Sequence, residues 1–280
     1  MNRFLGKIFI GLFLFSVTAC YGSWNIFYDG NNVDYRTRSL QDLKDTEVSA
    51  LSGKYRVLVL TDTHFGSNRK NPPVEKLYDW LDSVKGTDKA PVFALSLGDS
   101  TDTGSQAEFD EYLKFCNNLK SRYGIKMIFN SCGNHDIYQS HWDNWKNNCY
   151  PHTSFYKFKT AGLSWYCLDT ASGTLGRQQY EIFKREVESD SNSKIVFSHY
   201  PLTEYNLAFG LGETTERNLL ISSLLKNKVL CYFGGHNHYY HYLDMGLKDY
   251  CCPSFCYDEK WVVLCVDEEK GTTIVELINN

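Results

Sequence analysis

Phe129-Asn130-Ser131-Cys132-Gly133-Asn134-His135-Asp136 closes an apolar run and finishes with an amide, an imidazole and a carboxylate in successive positions. A glycine followed by three coordinating or titratable side chains is poor material for the interior of a helix or strand. It suits a strand-exit loop that brings polar groups beside a metal or a phosphate. Such a loop needs partners, which have to come from elsewhere in the chain.

Upstream, Arg56-Val57-Leu58-Val59-Leu60 reads as a strand buried on both faces, and it stops at Thr61-Asp62-Thr63-His64. Val74, Leu77, Tyr78, Leu81 and Val84 form a helical stripe after Pro72-Pro73. Val92 to Leu97 is a second apolar strand and stops at Gly98-Asp99-Ser100-Thr101-Asp102. Ser105 and Glu108 have capping-box spacing ahead of Phe109, Tyr112, Leu113, Cys116 and Leu119, which predicts another amphipathic helix. Ile125 to Phe129 is the third strand, leading into the opening stretch.

Downstream, residues 137–153 carry Tyr138, His141, Trp142, Trp145, Tyr150 and His152 and read as a loop with some helix overhanging the site. Phe155 to Phe158 and Leu163 to Leu168 predict a strand pair, and Gln178 to Val187 a helix. Lys194 to Phe197 is a strand that stops at Ser198-His199. After a helix around Arg217 to Leu225, Val229 to Phe233 stops at Gly234-Gly235-His236-Asn237-His238. Trp261 to Val266 and Thr272 to Ile278 read as a closing antiparallel hairpin. Strands alternating with helices predict parallel βαβ units, whose ligands bind at the carboxyl ends of the strands. Five strand ends thus carry Asp62/His64, Asp99/Asp102, Asn134/His135/Asp136, His199 and His236/His238.

Jointly these blocks resemble the calcineurin-like metallophosphoesterase superfamily, whose motifs run D-x-H, G-D-x-x-D, G-N-H-D/E, H and G-H-x-H in the same order. The resemblance covers roughly residues 55–243 and implies an α/β fold, a layered α/β/β/α sandwich of the metallophosphoesterase type, over residues 54–280. It implies one metal held by Asp62, His64, Asp99 and His238 and a second held by Asp99, Asn134, His199 and His236. These would be two divalent ions, Mn, Fe or Zn, and the activity implied is hydrolysis of phosphate mono- or diesters by attack of a metal-bridging hydroxide. His135 resembles the histidine that serves the leaving oxygen, with Asp102 as the carboxylate that orients it, and Asn134 also borders the substrate. Asp136 reads as a loop-fixing carboxylate that accepts backbone N–H groups.

The resemblance also has limits. Thr103 and Ser131-Cys132 stand where the superfamily's protein phosphatases carry phosphate-gripping arginines, so a protein-phosphatase activity is not implied. Asp102 stands where purple acid phosphatases have tyrosine. His141, His152 and His241 read as surface or packing residues, and Arg69, Lys70 and Arg177 as solvated loop charges. A nuclease or cyclic-nucleotide phosphodiesterase, with the aromatic overhang stacking a base, is an alternative activity. A metal-binding scaffold on the same fold is an alternative of another class.

The near balance of 29 basic against 33 acidic residues, net charge -4, offers no basic stripe for nucleic acid, and a phosphorylated small molecule is the expected substrate. Residues 1–19 have the form of a signal peptide. Arg3 and Lys7 lead an uncharged run, Ile8 to Ala19, spanning roughly 18 Å, too short for a membrane core of ~30 Å. Val17-Thr18-Ala19-Cys20 resembles the lipobox of bacterial lipoproteins, which implies acylation of Cys20, a membrane anchor and a periplasmic or extracellular location, with residues 20–53 as a tether. Export permits disulfides. Cys116, Cys167, Cys231 and Cys265 read as small buried hydrophobes, whereas Cys251, Cys252 and Cys256 are close enough in sequence to host a bridge.

Overall fold

The computed structural model describes residues 32–203, 211 and 214–279. In chain order its first half contains α1 (Val33–Arg36), β1 (Gln41–Leu43), β2 (Lys54–Leu60), α2 (Val74–Val84), β3 (Phe93–Ser96), α3 (Gln106–Tyr123), β4 (Ile128–Asn130), a 3-10 segment (His135–Ser140) and α4 (Trp142–Asn148). The second half contains β5 (Tyr156–Lys159), β6 (Leu163–Cys167), α5 (Arg177–Ser189), β7 (Ser193–Phe197), α6 (Thr214–Lys226), β8 (Val229–Gly234), β9 (His241–Asp244), β10 (Lys248–Cys251), α7 (Phe255–Asp258), β11 (Lys260–Asp267) and β12 (Thr272–Asn279).

Alternation along the strands builds the layers. Tyr55, Val57 and Val59 of β2 point into an apolar core between two sheets, and Leu58 and Leu60 point the other way, against α2, α3 and α4. In the same manner Ile195 and Phe197 of β7 face the inter-sheet core, while Val196 joins Phe183, Val187, Leu220 and Leu224 beneath α5 and α6. The result is helices, sheet, sheet, helices: the α/β/β/α sandwich. One sheet runs β12-β11-β2-β3-β4 and the other β1-β5-β6-β7-β8-β10-β9. Aromatic rings fill the seam between them, with Phe129 stacked on Phe158 at 3.7 Å between centroids.

Strands β2, β3 and β4 are mutually parallel, as are β6, β7 and β8, so each set ends on one edge of its sheet. Pairing continues into the loops. Asp62 N donates to Gly98 O at 3.0 Å, His64 N to Asp99 O at 3.0 Å and Gly235 N to His199 O at 2.7 Å. The loops that carry the polar motifs are therefore tied to one another before any side chain is considered. Helix α3, whose residue Glu108 reaches back to Ser105 N at 3.1 Å and whose end turns at Gly124 with φ 70°, packs beside them.

Three expectations are corrected. The segment assigned as a tether over residues 20–53 is part of the domain from residue 32 on. α1 places Arg36 in a buried bidentate pair with Asp169 (2.7 and 2.8 Å), β1 pairs in parallel with β5, and Val48 is fully buried. Its sequence is polar because one ion pair and a strand edge fix it rather than an apolar stripe. The signal segment, residues 1–19, and Cys20 lie outside the described residues. The possible bridge among Cys251, Cys252 and Cys256 does not form: no disulfide joins the nine described cysteines to one another. Cys251 Sγ donates to Gly235 O and Cys256 Sγ to Lys70 O, while Cys252 packs in the inter-sheet core. Finally, the aromatic overhang is partly core, since Trp142 and Trp145 are buried, His141 and Tyr150 are half-buried, and Tyr138 and His152 are exposed.

Candidate metal centre

Two groups of donors meet where the two sheets abut. Asp62, His64 and His238 form one, and Asp99, His199 and His236 the other, each with ligand atoms mutually within 4.8 Å. In the first, His238 Nε2 lies 3.3 Å from Asp62 Oδ1 and 3.3 Å from His64 Nε2. In the second, His199 Nε2 lies 3.3 Å from Asp99 Oδ2 and 3.0 Å from Asn134 Oδ1, and His236 Nδ1 lies 3.3 Å from His199 Nε2. Asp99 joins the two, because its Oδ2 is also 4.0 Å from His64 Nε2. All seven residues expected to hold metal are thus gathered in one cluster.

The backbone is strained to achieve this. Asp62, His64, Asp99, His236 and His238 have φ of 52°, 43°, 49°, 69° and 61°, in the left-handed region that side-chain-bearing residues rarely occupy. Each such position aims a side chain sharply out of the end of its strand. Two glycines permit the crowding. A Cβ on Gly133 would come within 2.1 Å of Asp99 N, and one on Gly235 within 1.9 Å of Thr61 Oγ1. Ser254 Oγ, from the loop before α7, donates to Asp62 O at 3.0 Å and braces the first group from behind.

The donors are arranged for a cation. His199 Nδ1 faces the Leu97 carbonyl at 2.9 Å and must carry a proton there, so its Nε2 points a lone pair or a second proton at the oxygens of Asp99 and Asn134. Without metal the proton wins: burial disfavours the imidazolium, but Asp99 outweighs it and pushes His199 up to about 9. Burial likewise works against the Asp99 carboxylate, yet His199 holds it well below the usual carboxylate range. Asp62 behaves alike, with burial opposed by the His238 hydrogen bond and the His199 charge, and ends at about 2. His236, by burial and the His199 charge, is pressed down to about 4. Among the described residues the buried Asp62 Oδ1 meets no donor other than His238 Nε2, 3.3 Å away. Two ionised carboxylates, an amide oxygen and four imidazoles that converge fit divalent cations.

A family model described as calcineurin-like phosphoesterase matches residues 55–240. The chain belongs to this family. No curated protein matches it in sequence. Among solved structures, the fold of this calcineurin-like phosphoesterase is similar to a dimetal phosphatase from Danio rerio (TM-score 0.54, 11% identity, covering 79% of this chain and 98% of that one). It is also similar to a purple acid phosphatase from yellow lupin (0.57, 12%, covering 82% and 54%). A third neighbour is GAP50, the anchor in the inner membrane complex of Plasmodium (0.58, 14%, covering 81% and 89%).

Within the phosphoesterase site, His135 sits beside the donors, its ring 4.8 Å from that of His64. Its orientation differs from the one expected. His135 Nδ1 is held by the main-chain oxygen of Asp102 at 2.7 Å, while the Asp102 carboxylate turns to His64 Nδ1 at 3.3 Å. The motif's spacing brings Asp102 to His135, but the loop presents its carbonyl. Asp136 fixes the loop by accepting from Gly133 N at 2.9 Å and Thr101 N at 3.1 Å.

Other candidates stay apart. Lys70 is engaged by Glu259 and the Tyr257 carbonyl, His141 by Thr103 O and His152 by Lys146 O. Sequence reasoning missed two tyrosines and underrated a third. Tyr200 stacks on His236 at 3.9 Å and Tyr257 on His238 at 5.0 Å, and the Tyr138 ring lies tilted against His135 at 4.3 Å. Tyr200 directly follows a ligand and so carried a signal. Tyr257 lies in α7, beyond every motif, and carried none.

Proposed function

We propose that the chain is a hydrolase that cleaves phosphate mono- or diesters at a two-ion centre held by Asp62, His64, Asp99, Asn134, His199, His236 and His238. The observation that carries this reading is the Asp99 carboxylate, whose Oδ2 faces both groups of donors at once, 3.3 Å from His199 Nε2 and 4.0 Å from His64 Nε2. When bound, two divalent ions supply Lewis acidity to the phosphoryl group and acidify water near neutral pH.

The chain's own residues do the rest. Asn134 turns its amide oxygen to the donors and its Nδ2 outward, 3.2 Å from the Tyr138 hydroxyl. His135, with Nδ1 pinned on the Asp102 carbonyl, presents Nε2 at the mouth of the site, and a proton held there passes to the leaving oxygen. The fold alone does not carry catalysis, since one structural neighbour is an anchor. The complete donor set supports an enzyme over a scaffold. The burial of Trp142, Trp145 and Tyr156 leaves Tyr138, Tyr150 and His152 as the accessible rings of the overhang on which a nuclease reading rests.

Metal-stripped protein titrated with Mn, Zn or Fe against aryl phosphate mono- and diesters should regain turnover. No turnover with any of these metals would reject the reading. From Val17-Thr18-Ala19-Cys20 we also propose export and anchoring through a lipid on Cys20. The Cys20→Ala protein should then leave the membrane fraction, and retention there would contradict the anchor.

A further inference from the structure

Each donor group contains one buried histidine and one that is half-buried. His64 and His199 are buried, and each turns its Nδ1 to an oxygen of a neighbouring loop, His64 to the Asp102 carboxylate at 3.3 Å and His199 to the Leu97 carbonyl at 2.9 Å. His236 and His238 are held differently. They stand two residues apart on the turn after β8, both with left-handed backbone and both half-buried. The His238 side chain is 35% exposed, and among the described residues its Nδ1 has no hydrogen-bond partner.

A tyrosine ring backs each of these two. Tyr257 lies on His238 at 5.0 Å and Tyr200 on His236 at 3.9 Å, each with 26° between the ring planes. Each tyrosine also meets the buried histidine of the same group, Tyr257 that of His64 at 5.2 Å and Tyr200 that of His199 at 5.4 Å. The tyrosines are themselves fixed. The Tyr257 hydroxyl is 3.1 Å from Ser67 Oγ, and α7 is tied to the end of β2 by Phe255 N donating to Thr61 O at 2.9 Å and Cys256 N to Asp62 O at 3.2 Å. Tyr200 N donates to Thr170 Oγ1 at 2.9 Å, and Tyr200 O accepts from Ser198 Oγ at 2.9 Å and from the Tyr232 hydroxyl at 3.0 Å. Tyr257 lies beyond residue 240, where the match to the family model ends.

A half-exposed imidazole samples several rotamers and loses that freedom when it ligates an ion, so a rigid ring that holds it in one orientation beforehand raises affinity. The face of a tyrosine is electron-rich and an imidazole donating to a cation is electron-poor, so the stack also strengthens on binding.

We propose that Tyr257 and Tyr200 are positioning residues, each setting the ion affinity of one donor group: Tyr257 that of Asp62, His64 and His238, and Tyr200 that of Asp99, His199 and His236. This deepens the two-ion reading and rests on it.

The test titrates the metal-free full chain with Mn and follows binding by calorimetry, with no substrate present. Wild type should bind two ions. Tyr257→Leu and Tyr200→Leu should each bind one ion about tenfold more weakly and keep the other within about twofold of wild type. The double variant should bind both ions about tenfold more weakly. Tyr257→Phe and Tyr200→Phe keep the rings and should stay within about twofold of wild type at both sites. Met in place of Leu repeats the comparison if a Leu variant does not fold. Unchanged affinities in the Leu variants, equal weakening of both ions by one substitution, or Phe variants as weak as the Leu variants would overturn the proposal. So would a double variant that keeps one ion at wild-type affinity, because both tyrosines would then serve a single group. A wild type that binds no Mn overturns the two-ion reading and the proposal with it. Two ions in wild type that no tyrosine substitution weakens overturn the proposal alone.

Discussion

Asp99 is where the demands on single residues converge. Its backbone is left-handed, its Oδ1 accepts from His135 N at 2.8 Å, and its Oδ2 is shared between the two donor groups. Gly133 is required because Asp99 leaves no space for a Cβ. The same scale separates the roles of His135 and Asp102. Asp102→Asn keeps the main-chain oxygen that orients His135, so kcat on an aryl phosphate should fall by less than about tenfold. His135→Ala removes the proton donor itself and should lower kcat by about 10² to 10⁴ with the bound metal retained. Kinetics with metal content measured by atomic emission checks both. Equal losses in the two variants would show that the carboxylate, not the carbonyl, serves His135.

Among the elements, α1 and β10 are held by charged groups whose burial has testable consequences. Arg36 of α1 and Asp169 after β6 have no exposed side-chain surface, and Asp169 also accepts from Ser154 Oγ at 2.6 Å. Arg36→Ala strands a buried carboxylate and should cost about 3 to 5 kcal/mol, read as a lowered urea midpoint. A shift under about 1 kcal/mol would mean that α1 is not integral to the domain. In β10, burial pushes the Asp249 carboxyl up to about 6, only partly offset by hydrogen bonds from Thr203, and its Oδ1 has no hydrogen-bond partner among the described residues. Between about pH 4 and 6 the folded state keeps a proton that the unfolded chain, titrating near 3.9, has lost, so stability falls as pH rises through that window. The deficit, on the order of 3 kcal/mol, is complete above about pH 6. Asp249→Asn should therefore be more stable than wild type at pH 7.5 and no more stable at pH 4, by denaturant midpoints. The same difference at both pH values would refute the titration.

Across the whole molecule, what could be read from sequence was what local chemistry dictates. The five polar blocks were legible because each interrupts an apolar strand, and the parallel units because β2 to β4 alternate with amphipathic helices, whereas the layered sandwich came from the family resemblance that those blocks carry. The parts that were not legible depend on distant partners. α1 and β1 look like tether until Arg36 meets Asp169, 133 residues away. β9, β10 and α7 lie in a Tyr-, Asp- and Cys-rich stretch without clear periodicity, and α7 forms as Ser254 caps it by accepting from Tyr257 N at 3.0 Å. The Asp102 contact was misread because a motif names side chains, whereas the loop used its backbone.

The central claim is that seven side chains from five strand ends form one two-ion centre that hydrolyses phosphate esters. Its most direct test is titration of metal-free protein with Mn, following bound metal per chain and hydrolysis of bis(4-nitrophenyl) phosphate in the same samples. The account predicts binding that saturates at about two ions per chain, with turnover appearing as the second site fills. Saturation at two ions without turnover, or turnover independent of bound metal, would contradict it.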